Sequence, residues 1–189
     1  TLPSRYYLDP DIHAQEIRTI FRRSWLYAGH VMDLPEEGSY LTEDLAGQPI
    51  FIVRSKDGEI RAFFNVCQHR GHILLSGRGQ LKGLIVCPYH AWCYGLDGSL
   101  LTARLTANVS DFDTADFSLK PIQLAVVAGL IFVNFDPEAT PVNGDLPEFE
   151  ASILDHLPEM PRYAARYRFE FDIAANWKVV VDNFSEGYH

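Results

Sequence analysis

Two short segments pair a cysteine with a histidine: Cys67-Gln68-His69 and Cys87-Pro88-Tyr89-His90, with seventeen residues between them. Thiolate and neutral imidazole are metal-binding side chains, so the first question is what metal chemistry this spacing serves. A zinc finger draws two cysteines from one loop and two histidines from another onto a single tetrahedral ion. Here each segment offers one of each type. That distribution suits two iron atoms held by both loops, one iron taking two thiolates and the other two imidazoles. A structural zinc ion and a metal-free packing role stand as the alternatives.

The two-iron reading corresponds to the Rieske [2Fe–2S] arrangement, whose imidazole ligands raise the reduction potential above that of an all-cysteine cluster. The chain around the segments supports loops of this kind. Phe63-Phe64-Asn65-Val66 leads into the first and Leu84-Ile85-Val86 into the second, so each ligand pair sits at a strand tip. Gly71, Gly77 and Gly79 are expected to allow close backbone approach. Pro88, Tyr89, Trp92 and Tyr94 are expected to form a shell that excludes water. Cys93 reads as a small buried hydrophobe and His72 as a loop residue; His13, His30 and His156 carry no motif.

A second group lies at the C-terminal end. In Asn176-Trp177-Lys178-Val179-Val180-Val181-Asp182-Asn183-Phe184-Ser185-Glu186-Gly187-Tyr188-His189, the residues Asp182, Glu186 and His189 fall at i, i+4 and i+7. On a helix they form one polar face, with Val180, Val181, Phe184 and Tyr188 lying off it and free to pack. By itself a Glu-x-x-His pair is as compatible with a solvated helix face as with a ligand pair.

The elements that must carry these groups follow from pattern. Residues 9–25 read as a helix capped by Asp9 or Asp11, with Ile17, Ile20, Phe21, Ser24 and Trp25 on one face. Strands are expected at 39–44, 49–54, 60–66, 84–87 and 91–95. The turn Asp57-Gly58 marks one hairpin, and Ala128-Gly129 joins 122–127 to 130–135 in another. Residues 103–118 read as a surface loop and 136–147 as a domain boundary. A helix at 147–157, a strand at 162–173 and a helix from 176 follow. The fold class is α+β: an antiparallel β domain, then the beginning of an α+β domain of the helix-grip type. The expected divisions are 1–38, an N-terminal helix and connection; 39–140, the cluster domain; and 141–189, the start of a catalytic domain.

Composition narrows the function. The formal charge of −9 argues against a phosphate-binding nucleic-acid partner, and 47% apolar residues exclude disorder. The longest apolar run, 124–133, is half of what a membrane span needs. The chain reads as soluble and cytoplasmic, and three cysteines do not support a disulfide framework.

The segments Cys67-Gln68-His69-Arg70-Gly71-His72 and Cys87-Pro88-Tyr89-His90-Ala91-Trp92 resemble the cluster loops of Rieske non-haem iron oxygenases, the ring-hydroxylating α subunits. Respiratory-chain Rieske proteins carry an extra cysteine in each loop, where this chain has His72 and Tyr89. The resemblance implies Cys67, His69, Cys87 and His90 as cluster ligands, and His189 as the first histidine of a 2-His-1-carboxylate mononuclear iron site. It implies Glu186 as the carboxylate linking that iron to a neighbouring subunit's cluster in a head-to-tail trimer or larger ring. Glu186 in place of the aspartate typical of ring dioxygenases is similar to the branch acting on glycine betaine, stachydrine and carnitine. The implied function is a terminal oxygenase, fed by a reductase or ferredoxin. It would use O₂ to hydroxylate a small organic substrate, with N-demethylation as the outcome for a quaternary ammonium compound. Aromatic ring dihydroxylation and a stand-alone Rieske electron carrier are the competing expectations. The remaining iron ligands would lie beyond His189, so the chain reads as the first part of a longer one.

Overall fold

The computed structural model describes residues 2–104, 106, 109–142, 148–165 and 167–185. Two short helices, α1 (Arg5–Leu8) and α2 (Pro10–Thr19), open the chain. Asp9 caps α2 by accepting from the Asp11 amide, and Pro10 at the first helical position costs no hydrogen bond. The expected single helix over 9–25 therefore ends early. Phe21–Arg23 tightens into a 3₁₀ turn, and Leu26–His30 becomes β1.

Ten strands follow: β1, β2 (Ser39–Leu45), β3 (Gln48–Arg54), β4 (Ile60–Phe64), β5 (Arg78–Gln80), β6 (Leu84–Val86), β7 (Cys93–Gly95), β8 (Leu100–Thr102), β9 (Pro121–Val127) and β10 (Leu130–Asn134). Seven form one sheet in the order β1-β10-β9-β4-β3-β2-β5; β6-β7-β8 form a second. Every pairing is antiparallel.

The central strand β3 explains how two cores arise from one sheet. Side chains alternate across a strand, so Phe51 and Val53 point to one face while Ile50 and Ile52 point to the other. All four are fully buried. The first face packs with Phe63, Leu74, Ile85, Trp92, Tyr94 and Leu96 beneath the cysteine loops. The second packs with Ala28, Leu34, Leu41, Ile131 and Val133, where β1 closes the sheet.

The β9–β10 turn also joins the sheet to the later chain. Ala128 and Gly129 both have positive φ, as a two-residue hairpin turn requires. A Cβ on Gly129 would lie 2.7 Å from both His30 Nε2 and Pro161 Cα, so only glycine fits. His30 is buried; its Nδ1 accepts from the Met32 amide, which makes Nε2 the donor to the Met160 carbonyl at 3.0 Å. No motif around His30 marks this role.

Beyond the boundary, α3 covers Phe149–His156 and α4 covers Trp177–Ser185. The strand expected at 162–173 is not formed: 160–162 is a 3₁₀ turn and the described residues from 163 to 174 pair with no strand. Its alternating Phe169, Phe171 and Ile173 are all largely exposed, because among the described residues no neighbouring strand covers them. The packing expected of Val181 and Phe184 on α4 is likewise absent among the described residues. Both are exposed, and Val180 is half-buried. Tyr188 lies outside the described residues.

Candidate metal centre

The two cysteine loops are built on one backbone pattern. After β4, the Cys67 amide donates to the His72 carbonyl at 2.8 Å and the Gly71 amide to the Cys67 carbonyl at 3.0 Å. After β6, the Cys87 amide donates to the Trp92 carbonyl at 2.8 Å and the Ala91 amide to the Cys87 carbonyl at 3.0 Å. Gly71 and Ala91, at equivalent places, both take left-handed φ, +69° and +57°. Each turn thus projects a cysteine and, two or three residues later, a histidine from the same side of its loop.

The loops face one another. The His69 and His90 rings meet edge to face with centroids 4.7 Å apart. Cys67 and Cys87 are both buried, and Cys87 is near enough to help push the Cys67 thiol pKa up. His69 Nδ1 and His90 Nδ1 are buried with no hydrogen-bond partner. Buried polar atoms are almost always paired, so two orphaned nitrogens on facing rings call for a ligand. Among the described residues no three His, Cys, Asp or Glu side chains close around one ion. The donors stand instead as a thiol pair and an imidazole pair. That donor set fits a two-iron cluster bound through Nδ1 and Sγ.

Burial sets the proton state of the uncharged donors. Burial lowers the His69 pKa, with His90 and Arg70 adding to the effect, so the ring is neutral and able to ligate. Burial pushes the Cys67 thiol up, a shift that the Tyr94 hydrogen bond opposes. Metal binding would have to release that proton.

Three supports were only partly legible beforehand. Tyr94, fully buried, places its hydroxyl 3.2 Å from Cys67 Sγ and accepts from the Gln68 amide at 3.1 Å. Burial pushes its phenol well up, keeping it protonated and able to donate to sulfur. Trp92 stacks on His69 with ring centroids 4.7 Å apart and planes 8° apart. Asn65, also buried, accepts from the Leu74 and Leu75 amides and donates to the Leu75 carbonyl, bracing the far side of the first loop.

Other expectations need correction. Pro88 and Tyr89 are exposed, so only Trp92 and Tyr94 of the expected shell exclude water; Tyr89 lies over His90 at the surface. Gly79, in β5, makes room for the ring of Tyr40 on the neighbouring β2. Cys93 is half-buried rather than buried. The stretch 103–118 is not all surface loop, since Phe112 and Phe117 stack on each other and meet Trp92 edge-on. His72 is an exposed loop residue. Asp182 is exposed on α4, while Glu186 and His189 lie outside the described residues.

Comparison with known proteins supports this geometry. Residues 24–113 match the Rieske [2Fe-2S] domain, and residues 160–189 match the ring hydroxylating alpha subunit catalytic domain. The chain thus carries a Rieske-type domain followed by a stretch similar to the ring hydroxylating catalytic domain. It is 43% identical over its whole length to the carnitine monooxygenase oxygenase subunit of Escherichia coli K12, covering 50% of that protein. It is 37% identical to the glycine betaine monooxygenase oxygenase subunit of Chromohalobacter salexigens, covering 42%. A crystal structure of a quaternary ammonium Rieske monooxygenase with L-carnitine superposes with a TM-score of 0.96 at 41% identity, over all of this chain and 54% of that one. Naphthalene 1,2-dioxygenase from Rhodococcus sp. gives 0.83 at 27% identity, over all of this chain and 44% of that one. The chain thus spans about half the length of the curated relatives it matches. The two domain matches imply two cofactors, a Rieske cluster and a mononuclear iron. No helix among the described residues is long and apolar enough to cross a membrane.

Proposed function

We propose that this chain is the N-terminal half of the oxygenase subunit of a multicomponent Rieske monooxygenase acting on a quaternary ammonium compound of the carnitine or betaine type. The observation that carries the reading is the pair of orphaned imidazole nitrogens on adjacent histidine rings, with a buried cysteine in each of the same two loops. Residues 1–38 supply the N-terminal helices and connection, 39–140 the cluster domain and 141–189 the start of the catalytic domain. The connection also lends β1 to the cluster domain's sheet.

In this reading Cys67 and Cys87 hold one iron of the cluster and His69 and His90 the other. Tyr94 holds a proton toward the Cys67 sulfur, and Trp92 fixes the His69 ring plane and keeps water from its inner face. Glu186 is the bridging carboxylate toward a neighbouring subunit and His189 a ligand of the mononuclear iron. When bound, the two centres supply one-electron transfer and O₂ activation for hydroxylation of a substrate C–H bond. The subunit works in the cytoplasm as a trimer or larger ring with a reductase or ferredoxin as electron donor. The −9 charge speaks for a protein rather than a nucleic-acid partner.

The glutamate at 186 and the 43% identity to a carnitine monooxygenase subunit favour the quaternary ammonium substrate over an arene. The test is product analysis with the full-length subunit, a reductase, NADH and a panel of carnitine, γ-butyrobetaine, glycine betaine and naphthalene. Substrate-dependent loss of a methyl group as formaldehyde, or oxidative cleavage next to the ammonium nitrogen, is expected. cis-Diols from the arene with no betaine turnover would overturn the substrate assignment.

A further inference from the structure

The helices at the start of the chain lie outside both cores, and α2 buries none of its residues completely. One of them is nonetheless committed to a partner far along the chain. Glu16, its side chain only 12% exposed, accepts from Lys178 Nζ through both oxygens, at 2.7 and 2.8 Å. The indole Nε1 of Trp177 donates to Oε2 of the same carboxylate at 2.9 Å. Lys178 is buried, with its ammonium over the rings of Tyr7 and Trp177. The Trp177 ring meets the edge of Phe21 at 5.0 Å. The Lys178 and Trp177 hydrogen bonds hold the Glu16 carboxyl below its ordinary pKa, so it is charged at neutral pH.

A covered pair behaves unlike a surface pair. Exposed ion pairs contribute little, whereas removing one partner of a covered pair leaves a lone charge away from water. The grip also acts at one end of a lever. Asn176 accepts from the Lys178 amide at the start of α4, and Trp177 and Lys178 form its first turn, while Val179, Val181 and Phe184 beyond are exposed. Fixing the rotation of the first turn fixes the azimuth of the later residues of α4, as far as Ser185 where the described helix ends. In sequence, Lys178, Asp182 and Glu186 are spaced four apart and His189 follows three residues later.

We propose that Glu16 is a positioning residue for the mononuclear iron site, setting through Lys178 and Trp177 the placement of the helix that leads to Glu186 and His189. The proposal rests on the functional reading above. An N-terminal helix would thereby control the iron site while leaving the cluster loops untouched.

The test uses the full-length subunit and three changes: Glu16→Gln, the milder Glu16→Asp, and the charge-swapped pair Glu16→Lys with Lys178→Glu. Glu16→Gln should weaken Fe(II) binding at the mononuclear site about tenfold and speed amide exchange across 177–185 by a similar factor. Cluster content and cluster potential should stay at wild-type values. In iron-saturated protein, the EPR line shape of the nitric oxide adduct should change in Glu16→Gln and return toward wild type in the swapped pair. Glu16→Asp, which keeps the charge, should lie between, and it decides the matter if Glu16→Gln does not fold. Wild-type iron affinity, line shape and amide exchange in both single variants would overturn the proposal. A wild-type subunit that takes up no mononuclear iron overturns the functional reading instead, and the exchange comparison then still decides whether Glu16 holds α4.

Discussion

After β4 and after β6 the chain makes the same turn twice, with the same two backbone hydrogen bonds and a left-handed residue at the same position. The side chains that hold the two turns differ. The first loop is braced by polar contacts: Asn65 ties down the Leu74 and Leu75 amides, and the Tyr94 hydroxyl takes the Gln68 amide. The second is held by apolar packing, with Trp92 buried among Phe112 and Phe117 and laid flat on His69. Both Trp92 and Tyr94 belong to the second loop and the strand after it, yet they contact His69 and Cys67 of the first. Ligand positions are therefore set across the pair, and neither loop carries its half of the centre alone.

Breaking the ligand set is expected to have the largest effect, equal for the two loops. Cys67→Ala or Cys87→Ala should abolish cluster binding, read as iron and acid-labile sulfide per chain. His69→Cys and His90→Cys, where a cluster still assembles, should lower its potential toward the plant-type ferredoxin value of about −400 mV. An effect confined to one loop would break the equivalence.

Trp92→Ala comes next, because it empties a buried aromatic site that serves both loops. Truncations of this kind cost about 3–5 kcal/mol, measurable by chemical denaturation. The same variant should broaden the cluster's EPR signal through loss of the His69 stack. Phe117→Ala should keep a sharp signal, since its contact is with Trp92 and not with a ligand.

Tyr94→Phe removes two hydrogen bonds at constant shape, the one to Cys67 Sγ and the one from the Gln68 amide, and only the first reaches a sulfur. A bond to a charged acceptor contributes about 1.5 kcal/mol, which corresponds to a fall of about 60 mV for one electron. Protein-film voltammetry would read it. An unchanged potential would mean that the hydroxyl serves the Gln68 amide alone.

The smallest effects test the left-handed positions. Ala91→Gly should stabilise by up to about 1 kcal/mol through relief of its positive φ, and Gly71→Ala should cost about as much. A Cβ at Gly71 would meet nothing within 4 Å, so the backbone conformation alone decides that cost. Opposite signs in the two loops would confirm that one turn geometry is filled by two different residues.

Much of this was readable in the sequence because the signals are local. Asp57-Gly58 marks a three-residue loop closed by the Ser55 amide on the Glu59 carbonyl, Ala128-Gly129 marks a two-residue turn, and the unbroken apolar run Ile50 to Val53 marks a strand buried on both faces. The Cys/His spacing is local too. Strand β5 leaves no signal because Arg78-Gly79-Gln80 holds no apolar residue, whereas β6, equally short, is all apolar. The strand expected at 162–173 failed for the reverse reason: its alternation is clear, but a strand also needs a neighbour to pair with. Contacts made by tertiary packing left no mark in the sequence. The stack of Trp92 on His69, the Tyr94 hydroxyl on Cys67 and the Glu16–Lys178 pair join residues whose pattern predicts nothing about one another.

The central claim is that both loops deliver imidazole Nδ1 and cysteine Sγ to a single two-iron cluster. Pulsed EPR on the reduced full-length subunit, with histidine labelled selectively with ¹⁵N at Nδ1, tests it most directly. Two strongly coupled ¹⁵N nuclei are predicted, falling to one in His69→Cys and in His90→Cys. No strongly coupled label, or two couplings that persist when either histidine is replaced, would contradict the account.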